Sequence, residues 1–337
     1  MHIPDGYLGP QTYAVLDAAI IPAWWVASVK VKKTLKAKQV PLMALAAAFS
    51  FVIMMFNVPV IGGSTGHAVG ATLIAILLGP WAACIAVSIA LVIQALVFGD
   101  GGITAIGANC INMAVIMPFV GFYLYRLIAG DAPGRGRRIA AAGVASYVAI
   151  VAAAIAAGVE FGLQPLISHT ASGQPLYAPY PLAVAVPAMA IEHMLFFGFV
   201  EALMTMGIVA VLARQDSGLL EMKPAARPLR WLWASFAGLV LLTPIGVLAE
   251  GTAWGEWGAA ELKATLGFVP AGLEKLGGLW TAAMPDYAPP FIANPLVGYL
   301  VAAVLGSALV IGATWLLAKL LSRKAGDTPS GPVSPAA

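Results

Sequence analysis

The chain has 337 residues, 61% of them hydrophobic and 10% charged, with a formal net charge of +3 and a mean hydropathy of +0.90. A soluble domain carries roughly 25% charged residues, so a fold solvated on all sides is excluded. No interleaving of basic and aromatic residues points to nucleic acid. The two cysteines, Cys84 and Cys110, fall inside apolar runs and read as small buried hydrophobes, which excludes a disulfide framework or a zinc knuckle.

The first residues, Met1-His2-Ile3-Pro4-Asp5-Gly6, form a polar, turn-prone opening, and no Lys or Arg precedes Lys30. A secretory signal has a basic n-region and a small-residue cleavage site, so this start is expected to be retained. His2 is too large to favour removal of the initiator, and Met1 is expected to stay. Apolar windows then predict nine spans, at roughly residues 11–29, 40–58, 67–79, 81–98, 104–126, 138–159, 183–213, 230–249 and 292–321. The third is short and ends at the breaker pair Gly79-Pro80; the seventh and ninth are long enough to tilt. The fold class is an all-α polytopic helical bundle, about seven transmembrane helices plus a two-helix C-terminal module.

Charge sets the orientation. With the N-terminus outside, the inner stretches hold 16 of the 18 basic residues, from Lys30 to Lys38, Arg126 to Arg138, Arg214 to Arg230, and Lys319 to Lys324; Lys263 and Lys275 alone lie outside. This positive-inside bias predicts N-out and C-in in a bacterial cell (inner) membrane. The composition shifts around Arg214–Arg230, where Pro224 and Pro228 mark a linker. The expected division is a seven-span body at 1–213, a cytoplasmic linker at 214–229, a two-span module at 230–324 and a disordered tail at 325–337. The module's outer loop, about 250–290, carries Glu250, Glu256, Glu261, Glu274 and Asp286.

Of the four histidines, His2 stands out by position. The Met1 amine, the amide nitrogen between Met1 and His2, and the His2 Nδ1 close two fused chelate rings, with three nitrogens nearly in one plane. A fourth nitrogen completes a square-planar site, the geometry of Ni(II) or Cu(II) and not of zinc. Losing an amide proton also asks for a strongly Lewis-acidic ion. His67, at the outer mouth of the third span in Gly62-Gly63-Ser64-Thr65-Gly66-His67, is either that fourth donor or a plain loop histidine. His169, in a polar outer loop, reads as solvated, and Met54 and Met55 as core or lipid filling.

Met1 to Leu8, Gly62 to Gly70 (GGSTGHAVG) and Ile93 to Gly102 (IQALVFGDGG) occur in that order, and together they resemble the substrate-binding component of nickel/cobalt energy-coupling-factor transporters. Pro270-Ala271-Gly272-Leu273-Glu274 with Asp286-Tyr287-Ala288 is similar to the Pro-Asp-Gly-Leu-Glu signature of the small companion subunit, here fused; Ala271 departs from it. The resemblance implies nickel(II) or cobalt(II) as transported substrate, with no resident cofactor. It implies ligation by the Met1 amine, the His2 nitrogens and His67, and partnership with ATP-hydrolysing subunits and a coupling transmembrane subunit.

Other polar residues extend the expectation. Asn57, Ser64, Thr65, Asn109 and Asn112 are candidate orienting groups around the ligands. Asp17, Gln94, Glu192, His193 and Glu201 lie within spans, where polar and ionisable groups are costly, and are candidates for gating or for packing. Glu192 and Glu201, nine apart, fall about half a turn out of phase. Small residues four apart, Ala14/Ala18 and Ala44/Ala48, permit close helix contact. No G-x-x-x-x-G-K-[ST] or H-E-x-x-H is present, which argues against a built-in ATPase, a zinc peptidase and enzymatic function generally. The alternative is a gradient-driven secondary carrier relaying protons through Asp17, Glu192 or Glu201.

Overall fold

The structure, a computed structural model, describes residues 1–59, 64–131, 133–215, 217–226, 228–248 and 252–322. Gly62, Gly63, Arg227, Glu250, Arg323, Lys324 and the tail at 325–337 lie outside the described residues. Among the described residues eight helices are long and apolar enough to cross a membrane: α1 Pro10–Thr34, α2 Ala37–Met54, α4 Pro80–Phe98, α5 Ile103–Ala129, α6 Arg135–Ile167, α7 Leu182–Gln215, α8 Arg230–Leu248 and α11 Pro295–Leu321. The starts follow local chemistry. Pro10 opens α1 and Pro80 opens α4, where a missing N–H costs nothing. Before α11, the Asn294 side chain accepts from the Leu296 and Val297 amides, a side-chain cap on otherwise orphaned donors.

The expected third span is not a full helix. Residues Ala71–Leu78 form α3, eight residues long, which at 1.5 Å per residue reaches only about 12 Å. A non-helical stretch from His67 to Gly70 precedes it, ending on a left-handed Gly70. Gly79, after α3, sits against Met222, whose carbonyl also accepts from Gln39 near the start of α2. Unwound backbone at this depth is tolerable because protein surrounds it, and every α3 residue is buried.

Two ends are distinct. One gathers Gln39, Gly79, Arg138 and Glu221–Lys223, with Arg138 and Lys223 both paired to Glu221. The other gathers Met1–Leu8, His67, Gly99–Gly102, Leu176–Ala178, Trp254–Trp257 and Met284–Tyr287. Three helices carry π turns, Gln94–Phe98 in α4, Cys110–Ile116 in α5 and His193–Phe197 in α7, features that cluster at functional sites. The C-terminal α11 lies along α2, with Gly306 close to Phe51 and Phe98 and Tyr299 donating to the Met55 carbonyl at 2.6 Å. In the outer loop, α9 Ala259–Leu266 and α10 Ala271–Leu276 are short. Met54, Met55, Cys84 and Cys110 are buried, the cysteines as free thiols.

Candidate metal centre

The first eight residues form a hook folded into the bundle end. Met1, His2, Ile3, Tyr7 and Leu8 are all buried, because the backbone of Ile3 is gripped twice. Asn109 Oδ1 accepts from Ile3 N at 2.8 Å, Asn109 Nδ2 donates to Ile3 O at 3.2 Å, and Gly102 N donates to Ile3 O at 2.8 Å. The Asp5 carboxylate accepts from the amides of Ile103 and Thr104 and from the Thr104 hydroxyl. It thus tops the N-terminus of α5, where negative charge is favoured. Gly6, at φ +84°, turns the hook; a Cβ there would stand 2.6 Å from Leu273 Cα. The companion-like Gly272-Leu273 pair therefore packs directly on the hook, and Gly272 N donates to Leu176 O.

Within this frame two imidazoles converge. His2 Nδ1 lies 3.2 Å from His67 Nε2. His67 Nδ1 lies 3.1 Å from the Ala68 carbonyl; that acceptor calls for a proton on Nδ1 and leaves the Nε2 lone pair toward His2. At metal–nitrogen distances of about 2.0–2.1 Å, neighbouring nitrogens stand roughly 3 Å apart, so the observed spacing fits two adjacent positions around one ion. Burial, then the nearby Met1 ammonium, pushes the His2 ring down to about 3. The His2 ring is therefore neutral at pH 7, the state that ligates. Among the described residues no three His, Cys, Asp or Glu side chains form a ready-made cage; the other nitrogens at this point are the Met1 amine and the His2 amide, which are backbone donors.

Those backbone donors are held by a residue the sequence did not single out. The Met1 amine stands 3.3 Å from Glu256 Oε1, and the His2 amide N–H meets the same carboxylate. His2 Nδ1 is also 3.0 Å from Asp100 Oδ1, while Asp100 Oδ2 accepts from Gln94 Nε2 and Tyr287 Oη. Burial pushes the Asp100 carboxyl up. A cavity of about 380 Å³ opens beside the rings, lined among others by His2, His67, Asp100, Glu256, Asp286 and Tyr287.

The other expected residues divide. Asn57 and Thr65 line that cavity, and Asn109 clamps the hook. The Ser64 hydroxyl accepts from Trp254 N at 3.1 Å. Glu201, fully buried, accepts from the amides of Val69 and Gly70 and so fastens the segment that carries His67. The π turn between Glu192 and Glu201 changes the helical phase. Asn112 is elsewhere: it donates to Glu160 at 2.7 Å, a buried carboxylate that an apolar window concealed. Asp17 accepts from Gly107 N and ties α1 to α5. His193 is buried on its π turn, its Nδ1 on the Met189 carbonyl. His169 is exposed, bonded to the Pro165 carbonyl.

Residues 2–219 match the family model for the cobalt uptake substrate-specific transmembrane region, CbiM. The chain belongs to the CbiM family. Residues 229–323 match the PDGLE domain, so this CbiM-family chain carries the companion domain in fusion. It is 51% identical, over 97% of its length and 100% of the relative's, to the fused nickel transport protein NikMN of Rhodobacter capsulatus. It is 45% identical, over 90% of its length and 93% of the relative's, to the probable fused nickel transport protein LarMN of Lactiplantibacillus plantarum. A crystal structure of a transition metal transporter is 53% identical with a TM-score of 0.60, covering 64% of the CbiM-family chain and 94% of that structure.

Proposed function

We propose that this chain is the substrate-capture subunit of an ATP-driven energy-coupling-factor importer for nickel, with cobalt as the closest competitor. The ion is held by the Met1 amine, the His2 amide nitrogen, His2 Nδ1 and His67 Nε2. The single observation that carries this reading is the 3.2 Å approach of two buried ring nitrogens at the end of a folded-in N-terminus. Four nitrogens in a plane match Ni(II) better than ions that favour tetrahedral or oxygen-rich sites. The fold is read as a body at 1–213, a linker at 214–229 and a module at 230–324, with the hook on the outer face and the basic end in the cytoplasm. Separate subunits supply ATP hydrolysis, and a coupling membrane subunit docks on the lipid-facing surface, where α1 exposes Ala14, Val15, Ala18, Ile21 and Trp25. Asp17 and Glu201 are committed to backbone amides, which favours capture over a proton-relay carrier.

Calorimetric titration of the purified chain with nickel tests the ligand set. His2→Ala removes Nδ1 and its chelate ring, and no planar-nickel absorption should remain; a variant that binds and absorbs like the wild type would defeat the reading.

A further inference from the structure

Gln94 and His2 each leave one buried atom without a partner. Gln94 Nε2 donates to Asp100 Oδ2 at 3.1 Å and to Tyr287 Oη at 2.8 Å, while Tyr287 Oη donates to Asp100. An ionised carboxylate only accepts, so this network fixes the amide with its nitrogen toward Asp100. Gln94 Oε1 is left without a donor, on a side chain with no exposed surface. His2 Nε2 is likewise unpaired and buried, on a ring that meets the same Asp100 carboxylate as Gln94 does. Asp100 joins the two side chains, one oxygen on His2 Nδ1 and the other on Gln94 Nε2. Roughly 90% or more of buried polar groups are paired, so two orphans at one place call for a cause.

Metal loading supplies one. When Nδ1 gives its lone pair to the ion, a neutral imidazole carries its proton on Nε2, and that proton needs an acceptor. We propose that Gln94 is the positioning residue for His2 in the loaded state, its Oε1 accepting the Nε2–H, and that Tyr287 from the C-terminal module sets the orientation of Gln94. The proposal rests on the ligand set above and deepens it. A metal-bound histidine is ordinarily held by a bond from its other ring nitrogen, which fixes the tautomer and raises its basicity. Tyr287 is well placed as the anchor, because Phe98 stacks on its ring at 4.9 Å and Phe51 meets it edge-on at 6.1 Å. The fused module thereby reaches the ion through one hydroxyl and one amide, without contributing a ligand through them.

The test is nickel titration combined with ring-nitrogen NMR of the histidine-labelled full chain, since planar four-coordinate Ni(II) is diamagnetic. In the loaded wild type, His2 should show a proton on Nε2 that is shifted downfield and slow to exchange with water. Gln94→Met keeps the length and removes the acceptor. It should bind nickel about 10–100-fold more weakly, with the Nε2 proton shifted upfield and exchanging fast. Tyr287→Phe keeps the ring packing, and should move the same resonance with a smaller loss of affinity. It also decides the matter alone if Gln94→Met does not fold. Affinities within twofold of wild type and an unmoved resonance in either folded variant would overturn the proposal. Failure of the ligand set itself is distinguishable: the loaded wild type would then show no metal-bound His2 Nδ1.

Discussion

The body brings two ring nitrogens together, His2 Nδ1 and His67 Nε2, on segments fastened by Asn109 and Glu201, with the Asp100 carboxylate beside them. From the C-terminal module the groups that reach the hook are oxygens: the Glu256 carboxylate, the Trp257 carbonyl that accepts from Tyr7, and, through Asp100, the Tyr287 hydroxyl. Nitrogen donors suit late first-row ions, whereas carboxylate, carbonyl and water suit harder ones. The contrast teaches a division of labour. On the proposed ligand set the body supplies the nitrogen donors, while the module packs on the hook and balances its charge.

Each prediction sets one side against the other. The largest effect should come from two residues added before Met1, which remove the free amine and push His2 out of second place. A four-ligand site is worth about 10–16 kcal/mol, so each lost ligand costs roughly 3 kcal/mol, or on the order of 10²-fold. Losing more than one should abolish measurable nickel binding by calorimetry. Next, His67→Ala removes one nitrogen and should weaken binding by on the order of 10²-fold, whereas His169→Ala, on an exposed loop, should leave it within about twofold. An unchanged affinity in His67→Ala would move the fourth donor elsewhere.

Acid should act on the hook before any metal is present. The His2 ring is neutral when docked, with its proton affinity lowered to about 3, but is ordinary when the hook is free. The free form therefore binds more protons between pH 6.5 and 3, and docking weakens as pH falls through that window. From pH 7 to pH 5 the loss is about 2 kcal/mol for this ring alone, and a lower hydrogen-exchange protection factor at the Ile3 amide, corrected for the slower intrinsic exchange in acid, would register it. Docking that is insensitive over this range would contradict the neutral-ring picture. The smallest effect belongs to the module's oxygen face. Glu256→Gln should leave the planar nickel spectrum intact and slow association by about tenfold or less at low salt, as stopped-flow mixing would read. A lost spectrum would make Glu256 part of the ligand sphere and erase the division between the two sides.

Much of the architecture was legible because crossing a bilayer demands long apolar helices, and the basic residues that gather at one end mark its loops. The third span misled for a physical reason. Hydropathy registers burial and not backbone shape, so a non-helical His67–Gly70 joined to an eight-residue α3 looks like a helix of marginal length. His2 was legible because position alone confers chelation. Glu256, Asp100 and Tyr287 meet the hook only through packing between segments up to 255 residues apart, and Glu256 read merely as one of several loop acids. Glu160 was concealed by apolar neighbours, and the phase of Glu192 and Glu201 by a π turn no hydrophobic pattern announces.

The pairing of Met1 with Glu256 has a temporal side. At roughly 5–20 residues per second, the ribosome delivers Glu256 on the order of 10–50 s after the initiator. Throughout that interval the Met1 nitrogen has no Glu256 to pair with, so the hook can be sealed only late in synthesis. A residue at the head of the chain is thus among the last to find its place.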